Sequence, residues 1–304
     1  MNARPLLLLI AGPTAGGKTA LAVALAEQLG GAPIISTDSR QFYRELNIGV
    51  ARPSEEELSR ATHYFIADRS VETPLTAGSY ADEAAQLLED LFQKHPVVIA
   101  VGGSGLYIRA LTEGFDTLPE VPEELKETLR HMEPEDQLAL LLRRDPEAAI
   151  QVETDNPRRV QRALELVLAS GKPLSELRRG NGKPATYDVM GFGIDPGREQ
   201  LYKRIEQRTA RMIQEGLKEE ASAVKHLAQL PALQTVGYRE MFTHLEGKLD
   251  LNTTQNIIAM NTRRYAKRQY TWFRNQMNLE WVNPENLFAA TDLILQRISA
   301  HHGI

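Results

Sequence analysis

Two uninterrupted apolar runs dominate the pattern of hydrophobic and polar positions. Leu6-Leu7-Leu8-Leu9-Ile10-Ala11 and Pro96-Val97-Val98-Ile99-Ala100-Val101 have strand length and no polar break, as expected of strands buried on both faces of a parallel sheet. Ala32 to Ser36, His63 to Asp68 and Asp188 to Asp195 read as further strands. Between them the apolar spacing changes to three and four. Thr19 to Leu29 is rich in Ala and Leu at helical spacing, and after Gly78-Ser79-Tyr80 the residues Ala84, Leu87, Leu88 and Leu91 recur at i, i+3, i+4 and i+7 up to Phe92. A charged helix is predicted over Glu55 to Ala61, with Ser54 as its N-cap. Strands alternating with helices in this way predict an α/β domain.

After Gly114 the texture changes. From Pro119 to about Lys183 there is no strand pattern, only helical segments broken by Pro and Gly, one of them starting at Asp155-Asn156-Pro157 and stopping at Gly171. This reads as a helical insertion. Beyond it come the Asp188 strand, a long helix over about Glu199 to Ala228, a Gly-centred turn at 234–239 and a basic stretch from Leu251 to Leu279. The predicted organisation is a first part of the core at 1–117, an insertion domain at 118–184 and the rest of the core, with its C-terminal helices, at 185–304.

The 304 residues are 42% apolar and 25% charged, ordinary globular composition, with a net charge of −5 that gives no whole-molecule attraction to a polyanion. Any basic surface must therefore be local. Cysteine is absent, which excludes disulfides and thiolate zinc sites and fits a reducing cytoplasm. No apolar run approaches membrane length, so no membrane partner is expected.

The chemistry centres on Gly12-Pro13-Thr14-Ala15-Gly16-Gly17-Lys18-Thr19. It fits G-x-x-x-x-G-K-S/T between a strand and a helix, the setting of a phosphate-cradling loop. Backbone N–H groups at a helix N-terminus, a Lys18 ammonium and a Thr19 hydroxyl able to hold Mg²⁺ suit a di- or triphosphate. A purely structural strand-to-helix turn would need neither Lys18 nor Thr19. The second strand ends at Thr37-Asp38-Ser39, where α/β sheets bind ligands, so Asp38 is expected to face the same crevice; capping a following helix is the alternative. The Pro96–Val101 strand ends in Gly102-Gly103-Ser104-Gly105 without a metal-holding Asp, which argues against a motor-type ATPase.

Three basic sets remain. Arg158, Arg159 and Arg162 lie on the insertion helix, as either a solvated face or an anion clamp. Arg204, Arg208 and Arg211 form one stripe at i, i+4 and i+7. Leu251 to Leu279 carries Arg263, Arg264, Lys267, Arg268 and Arg274, no Asp or Glu, and interleaved Tyr265, Tyr270, Trp272 and Phe273. Cations with aromatics are the footprint of nucleic-acid binding; an amphipathic helix with snorkelling cations fits as well, and both can hold together.

Taken together, these stretches resemble the tRNA dimethylallyltransferase (tRNA isopentenyltransferase) family. The resemblance rests on the phosphate loop, Asp38-Ser39-x-Gln41-x-Tyr43, Ile48-Gly49-x-Ala51-Arg52-Pro53, Val101-Gly102-Gly103-Ser104-Gly105-Leu106-Tyr107, Asn156-Pro157-Arg158-Arg159-Val160-x-Arg162, Arg204-Ile205-x-x-Arg208, Val236-Gly237-Tyr238-Arg239 and Lys267-Arg268-Gln269-x-x-Trp272, in that order along residues 10 to 275. It departs at Gly16, Val50, Ser104 and Arg158, where the family favours Ser, Thr, Thr and Gln. The resemblance implies a P-loop NTPase-like parallel sheet core flanked by helices, with a helical insertion domain and Mg²⁺. It implies dimethylallyl transfer from dimethylallyl diphosphate to N6 of an adenosine beside the anticodon of tRNA, by a cytoplasmic monomer. On that reading Asp38 is the general base, Thr14 bonds near the reacting centre, and Lys18, Arg208 and Mg²⁺ on Thr19 stabilise the leaving diphosphate. Ser39, Arg40, Gln41 and Ser104 would line the passage of the base. Gly237, Tyr238, Arg239, Lys267, Arg268, Trp272 and Arg274 would hold the anticodon stem, and Lys126, Arg158, Arg159 and Arg162 would close over it. Rival readings are adenylate isopentenyltransferase, a small P-loop kinase and a nucleotide-gated RNA-binding protein.

Overall fold

A computed structural model describes residues 4–113, 118–177 and 186–302. The chain divides into two compact units, one comprising Met1–Thr112 and Ala185–Ile304, the other Glu113–Pro184.

The first unit is built on a six-stranded sheet: β1 (Leu6–Ala11), β2 (Ile34–Ser36), β3 (His63–Tyr64), β4 (Val97–Gly102), β5 (Asp188–Ile194) and β6 (Glu280–Val282), in the order β3-β2-β4-β1-β5-β6 and parallel throughout. The two runs with no polar position are the two central neighbours. β1 pairs with β4 (Leu6 opposite Val97) and with β5 (Leu6 opposite Asp188), so every β1 residue is buried. Helices cover the sheet, as a parallel sheet with apolar residues on both faces requires. Leu6, Leu8 and Ile10 pack with Leu21 and Leu25 of α1 (Lys18–Gln28) and Ile294 and Ile298 of a C-terminal helix (Leu287–His302). Chain order reverses between β1 and β4. The strand following β1 lies beyond β4, and the strand following β4 lies beyond β1. That is the switch point at which open α/β sheets leave a crevice at the carboxyl ends of strands.

Local signals account for most boundaries. Ser54 caps α2 (Glu55–Arg60) in a full capping box with Glu57. Thr76 caps α3 (Ala77–Phe92) by accepting from the Ser79 N–H. α4 (Gly105–Thr112) leads out of the sheet, and the Tyr187 hydroxyl, beside the returning chain, donates to the Leu111 carbonyl at 2.7 Å.

Two expected elements differ. The strand predicted over 63–68 pairs only at His63–Tyr64, because Phe65 (φ 59°) and Ala67 (φ 51°) turn the chain away from β2. The helix predicted over 199–228 breaks at Gly216 (φ 102°) into α10 (Arg198–Gln214) and α11 (Leu217–Ala223), followed by a 3₁₀ turn at Lys225–Leu227.

The second unit is helical among its described residues, with helices at Glu123–Arg130, Pro134–Arg144, Ala148–Gln151, Pro157–Ser170 and Leu174–Leu177. Its own core joins Leu129, Leu141, Val160 and Leu164. The Pro157 helix starts after Asn156 and ends at Gly171 in the left-handed conformation, where its sequence signals put it. Asp145, buried, accepts the Leu174 N–H at 2.7 Å. Residues 178–184 of the predicted insertion lie outside the described residues.

Candidate active site

The loop after β1 turns into α1 through Gly17, at φ 97°, a conformation that a side chain would strain. Helix α1 begins with no acidic residue in its first turn and no side chain capping its N–H groups, so its positive end is left for an anion. The Lys18 ammonium folds back on the loop and donates to the Pro13 carbonyl at 2.8 Å. Burial pushes its pKa down to about 8; Asp38 acts to raise it and Arg208 to lower it further. Gly16 suits this path, since a Cβ there would come within 2.9 Å of the Pro13 carbonyl oxygen.

The facing wall comes from β2 and α10. The Asp38 carboxylate accepts the Arg40 N–H at 3.0 Å, and the Asp38 N–H donates to Ser36 Oγ at 3.2 Å. Asp38 thus caps a tight turn rather than a helix; the next helix is α2, at residue 55. Arg208 donates to Thr14 Oγ1 at 2.8 Å, and Arg204 donates to the Gly16 carbonyl at 3.0 Å. Burial lowers the Arg208 pKa, against the opposing pull of Asp38 and Tyr265. Thr14, Lys18, Asp38, Arg204, Arg208 and Arg211 line one cavity of about 530 Å³, and Val50, Ala51, Pro53, Ile66 and Val101 give it apolar walls. A cationic end and an apolar flank can hold an anionic leaving group and a hydrocarbon, with the Asp38 carboxylate as proton acceptor.

The loop carrying Val50 to Pro53 is fixed from α11. Glu220 accepts the N–H groups of Asn47 (2.9 Å), Ile48 (2.8 Å) and Gly49 (2.9 Å), and the hydroxyl of Tyr238 at 2.6 Å.

The basic stretch forms α13 (Leu251–Gln276), capped by Asp250. The amphipathic reading of its composition holds. Thr262, Ala266, Gln269 and Phe273 recur at helical spacing on a buried face, while Arg264, Lys267, Arg268 and Arg274 are exposed. Trp272 lies over Gly105, where a Cβ would overlap its ring, so α13 seats against the loop after β4. Lys267, Arg268, Thr271, Trp272 and Asn275 border an open hollow of about 360 Å³.

Comparison with known proteins identifies the family of the chain. Residues 41–276 match the family model described as IPP transferase. The chain belongs to the IPP transferase family. It is 40% identical over 292 residues to a protein of Cytophaga hutchinsonii named tRNA dimethylallyltransferase, covering 95% of this chain and 96% of that one. It is 41% identical over 290 residues to one of the same name from Christiangramia forsetii, covering 93% and 96%. The crystal structure of a tRNA delta(2)-isopentenylpyrophosphate transferase from Staphylococcus epidermidis is 30% identical, with a TM-score of 0.71 over 98% of this chain and 99% of that one. A eukaryotic dimethylallyltransferase crystallised acting on tRNA shares the fold, with a TM-score of 0.81 at 22% identity over 97% of this chain and 78% of that one.

Within this family member, the expected site residues divide by position. Gly12 to Thr19, Asp38 and Arg208 gather at the carboxyl ends of β1 and β2. Ser39 and Ser104 meet across the switch point, Ser104 Oγ accepting the Ser39 N–H at 3.1 Å. Gln41 lines the cavity, but its amide is committed to the Ala51 carbonyl at 3.0 Å and the Ser36 hydroxyl at 3.2 Å, holding the cavity wall. Arg40 is half-buried beside Asp38. Lys126, Arg158, Arg159 and Arg162 belong to the helical unit, three of them paired there: Lys126 with Glu123 (2.9 Å), Arg159 with Glu153 (2.7 Å) and Arg162 with Glu165 (3.0 Å).

The C-terminal residues expected to hold a stem are less uniform. Tyr238 needs correcting. It is fully buried, its ring against Gly49 and its hydroxyl on Glu220, so it offers no face to a ligand; burial, with Glu220 beside it, holds its pKa far up. Gly237 turns the chain at φ 101°, and Arg239 remains half-exposed. Arg274 is braced by Asp195 at 3.1 Å and by the stacked Tyr270 and Trp281 rings. Tyr265, expected only among the interleaved aromatics, lies within electrostatic reach of Asp38 and Arg208, while sequence reasoning missed Glu220, hidden in an ordinary charged helix. It quoted Gln269 only within a motif; an uncharged polar residue on the inner face of a basic helix was the available signal.

Proposed function

We propose that this protein transfers a dimethylallyl group from dimethylallyl diphosphate to N6 of the adenosine 3′-adjacent to the anticodon, position 37, of tRNA, releasing diphosphate. The carrying observation is that Thr14, Lys18, Asp38 and Arg208 line one cavity with an apolar flank. The family, and relatives named for this transfer at about 40% identity, support the same reading.

The chemistry balances on these groups. The adenine N6 lone pair attacks the allylic carbon, a C–N bond forms, the C–O bond to the diphosphate breaks, and Asp38 takes the N6 proton. The amine is a weak nucleophile because its lone pair is delocalised into the ring, so a positioned base contributes about 10²- to 10⁴-fold. Charge gathers on the departing diphosphate, where loop N–H groups, Lys18 and Arg208 stabilise it more as the bond lengthens. The Thr14 hydroxyl, which accepts from Arg208 at 2.8 Å, would donate to the leaving diphosphate.

Among the described residues no group of three or more His, Asp or Glu gathers that would hold a metal by itself. Thr19, in the first turn of α1 and lining the cavity beside Lys18, would hold a Mg²⁺ ion, which would neutralise leaving-group charge when bound. The target base reaches the cavity by leaving its loop stack, which an unpaired loop base does cheaply. Lys267 and Arg268, with Trp272 beside them, would take the phosphates and bases of the stem-loop. No helix among the described residues is long and apolar enough to cross a membrane.

The decisive assay is nucleoside mass spectrometry of tRNA after incubation with dimethylallyl diphosphate. Adenosine gaining C₅H₈ supports the reading. Modification of AMP but not tRNA, or phosphoryl transfer from ATP, overturns it.

A further inference from the structure

Gln269 is a buried amide that the chemistry above does not use. It sits on the inner face of α13, 7% exposed. Its Oε1 accepts the Thr14 backbone N–H at 2.8 Å, and its Nε2 donates to the Gly103 carbonyl at 2.8 Å. One side chain therefore ties the phosphate loop after β1 to the Gly102–Gly105 loop after β4, the two loops that flank the switch point. The fit is close, since a Cβ at Gly103 would overlap the Gln269 amide. Thr14 is gripped twice, its backbone by Gln269 and its hydroxyl by Arg208. At this spot only a group that accepts at one end and donates at the other serves both loops.

We propose that Gln269 is a positioning residue for the transfer step: it fixes Thr14, and with it the hydroxyl aimed at the leaving group, and makes correct seating of α13 a condition for an aligned phosphate loop. The outer face of the same helix carries Lys267 and Arg268, so the element that meets the acceptor also sets the geometry at the donor end. This assignment rests on the prenyl-transfer reading. It predicts a rate effect rather than a binding effect, because Gln269 faces away from the exposed side of α13, and small misplacements of a reacting group are costly in rate.

The test measures prenyl transfer to tRNA, with tRNA affinity determined separately, for Gln269→Leu and Gln269→Glu, each in the Thr14 and Thr14→Val backgrounds. Thr14→Val keeps the backbone N–H and removes the hydroxyl. Gln269→Leu should lower kcat roughly ten- to a hundredfold, up to the cost of misplacing a reacting group by about 1 Å, with tRNA affinity within about twofold. In the Thr14→Val background the same change should cost less than about threefold, because the group being positioned is gone. Gln269→Glu gives a second readout. A protonated carboxyl can accept from the Thr14 N–H and donate to the Gly103 carbonyl, whereas an ionised one repels that carbonyl. Its activity should recover towards acid pH and fall with rising pH along a limb absent from the wild type. Equal costs in both Thr14 backgrounds, a Glu variant whose pH profile parallels the wild type, or a loss confined to tRNA affinity overturns the assignment. Absence of any transfer by the wild type overturns the prenyl-transfer reading, and this assignment with it.

Discussion

Replacing Glu220 by Gln should loosen one wall of the cavity from a distance. The carboxylate holds three backbone N–H groups of residues 47–49 and the Tyr238 hydroxyl, with all four partners donating. An amide keeps a single oxygen. Turned towards Asn47 and Ile48 it preserves two bonds, but its NH₂ then confronts the Gly49 N–H, and the phenol must rotate to accept. An orphaned backbone donor costs about 1–3 kcal/mol, and bonds to a charged acceptor are stronger than the neutral ones that replace them. Because the clasp is only part-buried, solvent screening puts the sum near the lower end, about 2 kcal/mol. For a chain of this size that is a fall in Tm of roughly 3 °C. Thermal denaturation followed by circular dichroism measures it. Tyr238→Phe, which leaves all three N–H bonds in place, should cost less. Because the clasp anchors the loop bearing Val50 to Pro53, KM for the diphosphate should rise as well. A Tm within about 1 °C of wild type, or a larger loss for Tyr238→Phe than for Glu220→Gln, would refute the clasp as the cause.

Five further outcomes are expected. Asp38→Ala should reduce turnover about 10²- to 10⁴-fold while tRNA still binds; unchanged turnover in single-turnover assays removes it as the base. Lys18 has its pKa lowered to about 8 in the fold, against 10.5 in the unfolded chain. Between those values the unfolded state binds the extra proton, so stability should rise with pH across that window, by on the order of 3 kcal/mol in all. Chemical denaturation at stepped pH checks this, and Lys18→Met should flatten that segment. Since the diphosphate favours the ammonium form, donor affinity should weaken as pH climbs past about 8, with a titration calorimeter as the readout. Gly105→Ala drives a methyl into the Trp272 ring; overpacking of this kind costs about 1–3 kcal/mol and should weaken tRNA binding by displacing Trp272. Removing Lys267 or Arg268 should each reduce the slope of log affinity against log salt by about one, the sign of a lost phosphate contact, as filter binding at several salt concentrations would report.

The sheet was legible because its centre is indifferent to facing. β1 and β4 are buried on both sides, so their apolar runs carry no alternation to misread. Edge pairing was harder. The run at 63–68 has strand composition, yet positive φ at Phe65 and Ala67 ends pairing after two residues, a backbone choice that no side chain there announces. Gly216 in a long amphipathic segment was a visible break signal, overridden by the continuing apolar period. At the site, loop and carboxylate were readable because a strand end fixes where a side chain goes. The partners reaching in from 150 or more residues away, Gln269 onto Thr14 and Glu220 onto 47–49, were not, since a hydrogen bond between distant segments leaves no spacing to detect.

The bond from Tyr187 to the Leu111 carbonyl has a consequence for how such a chain can change. It clasps the point where the polypeptide departs the sheet to the point where it comes back. A few residues bridging 112 and 186 would close that gap, and closing a short loop is inexpensive in entropy. The length of chain between can therefore vary at small entropic cost while β4 and β5 keep their register on β1.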